Sequence, residues 1–203
     1  NQRSTTAHLY LAYSELSEAR FLVDAGRSPL GTLDAARSHL ERSLAVDAGD
    51  PDSTYALWEV ELLEGRWAVE AGRSPLRSLT RSRELLGRYA EIFPDIPRTL
   101  EATAHQARWE AEWALVQDQP ARALVDEGLA AARRALAGEP VPQDPLRMAE
   151  AALLLQLARI EGEGEAADRA RVDAEAAMAA ALEANPLQAR AVERLQVGGA
   201  GRR

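Results

Sequence analysis

Three histidines and several pairs of glutamates have the residue types for metal binding or acid–base catalysis in this 203-residue chain. His8, His39 and His105 lie far apart, and none is followed three or four residues later by a second ligand. The two-histidine zinc motif of helical metalloenzymes is therefore unsupported. Each histidine is expected to be a surface or groove residue.

The glutamate pairs have the residue types for an acid and a base, as in Glu61 with Glu64 and Glu110 with Glu112. Mixed charge on long helices is more typical of a solvated face. The chain also lacks a serine nucleophile elbow and the catalytic signatures of protein kinases. We predict no enzyme, no cofactor and no metal. The enzymatic alternative requires a pocket that brings His105 to carboxylates of neighbouring helices.

The hexapeptide AGRSPL occurs at residues 25–30 and again at 71–76. Its backbone N–H groups, with Arg27 and Arg73, have the chemistry to hold an anion at the start of a helix. A joint between two helices is the favoured interpretation. In each copy a glycine ends one helix, a serine caps the next, a proline enters its first turn and a leucine pins the chain to the core. These residues are Gly26, Ser28, Pro29 and Leu30, then Gly72, Ser74, Pro75 and Leu76.

The repeated joint belongs to a longer repeat with a period of about 46 residues. Large apolar residues recur at spacings of 46, 46 and 47, each preceded two positions earlier by a small residue. The large residues are Phe21, Trp67, Trp113 and Ile160, and the small ones are Ala19, Gly65, Ala111 and Ala158. A bulky side chain beside a small one suits close helix packing, so Trp67 and Trp113 are predicted to lie in the core. The period predicts stacked helical hairpins.

Apolar residues at helical spacing and breaks at Gly or Pro predict an all-α chain. The predicted helices cover 5–25, 29–47, 52–71, 75–92, 98–117, 121–137, 145–161, 165–184 and 187–196. They group into one repeat domain over 1–203, with hairpins at 5–50, 51–96, 97–142 and 143–185, a capping helix at 186–196 and a disordered tail at 197–203. Asn185 is the predicted N-cap of the last helix, with Pro186 at its first position.

Composition narrows the classes of partner. The net charge is −8, all 24 basic residues are Arg, and they are mixed with acidic residues, which disfavours nucleic acid. No apolar run approaches the length that spans a bilayer, so no membrane partner is expected. Abundant Ala and Arg without Lys indicate a GC-rich, bacterial coding sequence, and we predict a cytoplasmic protein.

The ends of the second helices resemble the second half of a tetratricopeptide repeat: a small residue, a large one four later, then Ala-Leu and a Pro. Those places are held by Ala174, Met178, Ala181, Leu182 and Pro186, and more loosely by Ala36, Leu40, Ser43, Leu44 and Ala48. The family's unit has 34 residues, its Trp-x-x-Leu-Gly motif is absent here, and the additional 12 residues fit as longer helices. The resemblance implies a right-handed α-solenoid of four antiparallel helical hairpins with a short C-terminal capping helix.

The Ala-Arg-Phe helix end and AGR-x-P joint also resemble long-helix tetratricopeptide regions that follow the kinase domain in bacterial serine/threonine kinases of myxobacterial type. This resemblance implies a non-catalytic module that binds a protein or peptide in a larger signalling protein. The alternative is self-association, as a homodimer or within the chain, that regulates an attached kinase. First helices would line the binding groove, with Trp109 partly exposed beside Arg108. The candidate groove residues are Tyr13, Arg20, Glu59, Arg66, His105, Arg108 and Trp109.

Overall fold

The computed structural model describes residues 2–138 and 143–201, with side chains for 5–138 and 143–196. These residues form α-helices joined by short loops, and no strand occurs among them. The helices are α1 Gln2–Asp24, α2 Leu30–Val46, α3 Pro51–Glu70, α4 Leu76–Ile92, α5 Pro97–Val116, α6 Arg122–Leu136, α7 Gln143–Glu161, α8 Glu165–Ala184 and α9 Ala189–Gly201. The predicted all-α class is confirmed, and every predicted helix is present within a few residues of its expected bounds.

The chain divides into two compact units, Asn1–Pro94 and Asp95–Arg203. In the first unit each helix packs on the next one in sequence, and α1 also contacts α3. The second unit has the same order of contacts from α5 to α8, with α5 also on α7 and α9 on α7. The division lies two residues before the predicted boundary between the second and third hairpins, and the single domain stays a prediction.

Burial in the second helices of the pairs follows the repeat of 46 residues. One series of buried positions carries small residues, Ala36, Ser82, Gly128 and Ala174. A second series, four residues later, is also buried and carries Leu40, Leu86, Ala132 and Met178. A shared spacing of buried positions means that α2, α4, α6 and α8 each present the same face to their neighbours.

The first helices of the pairs, α1, α3, α5 and α7, bury the small residues of the repeat more completely than the large ones. Ala19, Gly65, Ala111 and Ala158 are all buried. A Cβ atom on Gly65 would lie 2.6 Å from Cδ2 of Leu79, which shows how closely α4 approaches α3 there. The predicted core placement of Trp67 and Trp113 is met only in part, because both are partly buried. Of the other two large residues, Phe21 is 65% exposed and Ile160 packs against the core of the second unit. Two positions along a helix correspond to about 200°, so the large residue faces away from the small one.

The AGRSPL joint ends its helix as predicted. Gly26 and Gly72 have φ values of 68° and 66°. Arg27 N donates to Leu22 O at 2.8 Å and Gly26 N to Val23 O at 2.9 Å, the pair of bonds of a Schellman motif. Asp118, 46 residues after Gly72, repeats the motif with φ 51° and a bond from Gln119 N to Ala114 O of 2.8 Å.

The start of the next helix differs from the prediction. Pro29 and Pro75 are the N-cap residues of α2 and α4, and neither helix has a side-chain cap, so the expected serine caps are absent. Leu76 is 59% exposed and Leu30 is partly buried, whereas Pro29 and Pro75 are fully buried. The proline ring therefore holds the joint against the core in the place predicted for the leucine.

The chain ends in a 3-10 turn, Pro186–Gln188, followed by α9. Asn185, predicted as the N-cap of the last helix, caps this turn instead through a bond from Leu187 N at 3.1 Å. Its Nδ2 donates to Asp144 Oδ2 at 2.9 Å. Gln188 Nε2 donates to the same oxygen at 2.9 Å. The last helix runs to Gly201, beyond the predicted end at 196 and into the segment expected to be disordered.

Candidate interaction surface

In the first unit, charged side chains of α1 and α3 pair along the line where the two helices meet. Arg20 on α1 forms an ion pair with Glu59 on α3. Arg66 on α3 pairs with Asp24 on α1 at 2.7 Å and with Glu70 on its own helix at 2.9 Å. Three of the predicted groove residues, Arg20, Glu59 and Arg66, are thus brought together by α1 and α3.

Arg66 is the less exposed of the two arginines in these ion pairs, with 22% of its side chain accessible against 47% for Arg20. Burial acts to lower the pKa of its guanidinium, but the charges and hydrogen bonds of Glu70 and Asp24 outweigh that effect and raise the pKa above its ordinary value. The side chain stays charged at any ordinary pH. A partner that contacts this surface meets a fixed pattern of paired charge.

Tyr13, the fourth candidate in this unit, is half-buried on α1, and its carbonyl oxygen accepts a bond of 2.8 Å from Ser17 Oγ. Two other aromatic residues of α1 are more accessible, since Tyr10 is 71% and Phe21 65% exposed. They are eleven residues apart, which is close to three full turns, so they lie on one face of the helix. Sequence reasoning missed this face because it aligned Phe21 with Trp67 and Trp113, which it placed in the core.

In the second unit, the three candidates lie along α5. Nε2 of His105 is 3.9 Å from Oε1 of Glu101, one turn earlier on the same helix. The guanidinium carbon of Arg108 lies 4.5 Å from the ring centroid of Trp109, a cation–π contact. Trp109 itself is only 8% exposed, so the expected partial exposure is wrong, and Arg108 covers its ring.

A polar contact also joins α5 to α7. Arg159 Nη1 lies 3.1 Å from Glu112 Oε2, and Gln156 Nε2 donates to the same carboxylate at 3.1 Å. The amide of Gln156 also donates to the Arg108 carbonyl oxygen at 3.0 Å. The first helices of consecutive pairs, α5 and α7, are therefore joined by polar side-chain contacts in this unit, as α1 and α3 are in the first unit.

Glu61 and Glu64, one of the glutamate pairs considered for catalysis, bind an arginine of the preceding helix. Glu61 and Glu64 on α3 both accept hydrogen bonds from Arg37 on α2, the former at 2.9 Å. Glu64 also accepts a bond of 3.0 Å from Ser78 on α4. Burial acts to lower the pKa of Arg37, but Glu61 and Glu64 more than compensate, and the pKa is raised. The cluster joins three helices of the first unit.

The second unit contains a cleft of about 320 Å³ between α7, α8 and α9. Its charged lining is partly engaged, because Arg159 pairs with Glu112 and Arg171 with Asp168 at 2.7 Å. The lining residues are Leu155, Ala158, Arg159, Arg171, Glu175, Met178, Leu195 and Gln196. The cleft depends on where α9 docks, which helical periodicity does not indicate.

Within the described residues, no group of three or more His, Asp or Glu side chains gathers as a metal site would. None of the described helices has a stretch apolar enough, over sufficient length, to cross a bilayer. No family model, curated protein or solved structure matches this chain.

Proposed function

We propose that the chain is a non-catalytic protein-interaction module, built as a right-handed tetratricopeptide-like solenoid of four helical hairpins. The observation that carries the proposal is the recurrence of buried positions at 46-residue steps in α2, α4, α6 and α8. Helix pairs of this kind cannot bury their apolar faces alone and are used in series, with one surface left for a partner. We further propose a cytoplasmic bacterial signalling protein as the context, with a serine/threonine kinase attached.

The binding surface in this proposal follows the first helices. In the first unit it comprises the pairs Arg20–Glu59 and Arg66–Asp24 together with the exposed aromatic face of α1. Aromatic residues and Arg are enriched among the interface residues that contribute most of the binding energy. Tyr10 and Phe21 therefore join Tyr13 as the aromatic candidates. In the second unit, His105 and Arg108 are the accessible candidates, and buried Trp109 supports Arg108.

Site-specific photo-crosslinking tests this assignment. A benzoylphenylalanine at position 21 is expected to capture a defined protein or peptide partner in cell extract. The matched control carries the same group at Val172 on α8, which is 63% exposed and lies on a second helix. Equal capture at both positions, or capture at position 172 alone, would contradict a surface on the first helices.

Self-association that regulates an attached kinase is the second candidate. The exposed apolar side chains Tyr10, Leu11 and Phe21, all on α1, favour it. Two such faces on separate chains form an isologous contact if they pair about a two-fold axis. Light scattering over a range of concentrations separates the two candidates. A dimer that is stable without a partner and that Phe21→Ser disrupts supports self-association. A monomer that captures a partner supports the first candidate.

A further inference from the structure

Two of the three histidines, 31 residues apart in sequence, meet where α1 packs on α2. Nδ1 of His8 lies 3.3 Å from Nδ1 of His39. The ring centroids are 5.6 Å apart with a 34° angle between the planes, so the rings approach through these nitrogens rather than through their faces. In this arrangement one neutral ring donates its Nδ1–H to the other.

The separation of the two nitrogens also matches a pair of ligands on one metal ion. Zinc–nitrogen bonds of about 2.05 Å at a tetrahedral angle place two imidazole nitrogens about 3.3 Å apart. Imidazole pairs suit zinc and its neighbours copper and nickel, whereas magnesium and calcium prefer oxygen ligands. The chemistry of the pair therefore selects a borderline transition metal.

The helices hold the two rings in place. His8 is one turn before Ala12, and His39 lies between Ala36 and Ser43, and all three of these neighbours are buried. Ser43 Oγ further donates to the carbonyl oxygen of Thr5 at 3.5 Å. Both histidines are partly exposed, which leaves an entry path for an ion. Because the two nitrogens lie on the line between the ring centroids, each ring has to turn by about 35° for both nitrogens to face one ion.

We propose that His8 and His39 form an intrachain site for one zinc ion. Both Nδ1 atoms coordinate the ion, and the proton on the donating Nδ1 moves through solvent to Nε2 of the same ring, so both imidazoles stay neutral. Water fills the remaining positions, because no third His, Asp or Glu joins the pair within the described residues. The site goes beyond the proposed interaction function and requires no catalysis.

Calorimetric titration of the purified chain with zinc chloride, in a buffer that does not chelate zinc, tests the site. Wild type is expected to saturate at one ion per chain. His8→Gln or His39→Gln should each weaken binding by at least about tenfold, because even the loss of a group that only hydrogen-bonds to a metal ligand lowers metal affinity by that factor. Far-ultraviolet circular dichroism verifies that each variant remains helical. Absence of saturable binding, or binding that survives both substitutions, overturns the proposal.

His105 provides the matched comparison, because its ring also lies close to a ligand-type side chain, that of Glu101. His105→Gln should bind zinc like wild type, and a loss in this variant would overturn the proposal. Histidine ring ¹⁵N resonances give a second readout. Zinc should shift Nδ1 of both His8 and His39, whereas coordination through Nε2, or one zinc per two chains, contradicts an intrachain site.

Discussion

At the scale of single residues, small side chains decide how closely the helices of a pair approach each other. Gly65 on α3 is the clearest case, because a Cβ there would lie 2.6 Å from Cδ2 and 2.9 Å from Cγ of Leu79. Gly87 on α4 is also helical but has no atom within 4 Å of a Cβ. The two glycines thus separate the effect of packing from the effect of backbone entropy.

We expect Gly65→Ala to lower the free energy of unfolding by about 1–2 kcal/mol, since overpacking costs more than the helix propensity of Ala returns. Gly87→Ala should raise it by about 0.5–1 kcal/mol, because only the propensity term changes. Denaturant unfolding monitored by circular dichroism measures both. A stabilised Gly65→Ala variant would mean that α4 moves away without cost.

Asp118 occupies the left-handed position that Gly26 and Gly72 hold in the other joints, with φ 51°. A non-glycine residue in this conformation carries strain that glycine avoids, so Asp118→Gly should stabilise the chain by up to about 1 kcal/mol. Gly72→Ala makes the opposite change, because it adds a Cβ at a left-handed position, and it should destabilise the chain by a similar amount. Thermal unfolding compares them, and a destabilised Asp118→Gly variant would show that the carboxylate contributes more than the strain costs.

At the scale of helices, a charged cluster fixes α2 against α3. Arg37 is 15% exposed at its side chain and Glu61 7%, so removal of Arg37 leaves a nearly buried carboxylate without its cation. Arg37→Met is therefore expected to cost about 3 kcal/mol of unfolding free energy.

Arg81 provides the control for this prediction, because its pair with Glu84 lies on the surface of α4 with both side chains about half exposed. Arg81→Met should change the unfolding free energy by less than about 0.5 kcal/mol. Urea unfolding of the two variants gives the comparison. Equal effects would show that burial does not strengthen the Arg37 cluster.

Asp144 joins α7 to the turn before α9. Burial acts to raise its pKa, but the hydrogen bonds from Asn185 and Gln188 outweigh burial, and the pKa is lowered. A lowered folded-state pKa stabilises the fold above the unfolded-state value of about 3.9. That contribution is lost as the pH falls through the lower folded-state value.

Hydrogen exchange measured by mass spectrometry tests the role of Asp144. At pH 7, Asp144→Ala should increase exchange in α9 relative to wild type, because the turn loses both amide contacts. The difference should shrink below about pH 4. A difference that does not change with pH would indicate that the charge of Asp144 is not involved.

The same scale shows which features the sequence predicts. Most helix ends lay close to their predicted residues because Gly and Pro mark them chemically, although the last helix runs to Gly201 rather than 196. Asp118 lies one repeat after Gly72, but its left-handed conformation was not predicted. The facing of Phe21 was missed because an aligned large residue recurs with the same period whether it faces the core or solvent. Contacts such as Arg37 with Glu61, or His8 with His39, join separate helices, and local periodicity carries no information about them.

At the scale of the whole molecule, the balance of 32 acidic residues against 24 arginines gives a net charge of −8 near neutral pH and a pI of about 5.0. Mutual repulsion between like-charged chains opposes non-specific association at neutral pH and vanishes near the pI. Charge-dependent association and a specific contact through α1 therefore respond differently to pH.

We expect the scattering mass of the chain to rise as the pH is lowered from 7.5 towards 5.0 and to fall again below it, because the net charge passes through zero. Phe21→Ser should leave this rise unchanged, since the substitution alters no charge. A dimer at pH 7.5 that the same substitution removes belongs instead to the exposed face of α1. Multi-angle light scattering across the pH series distinguishes the two, and a mass that stays constant through pH 5.0 would contradict the charge argument.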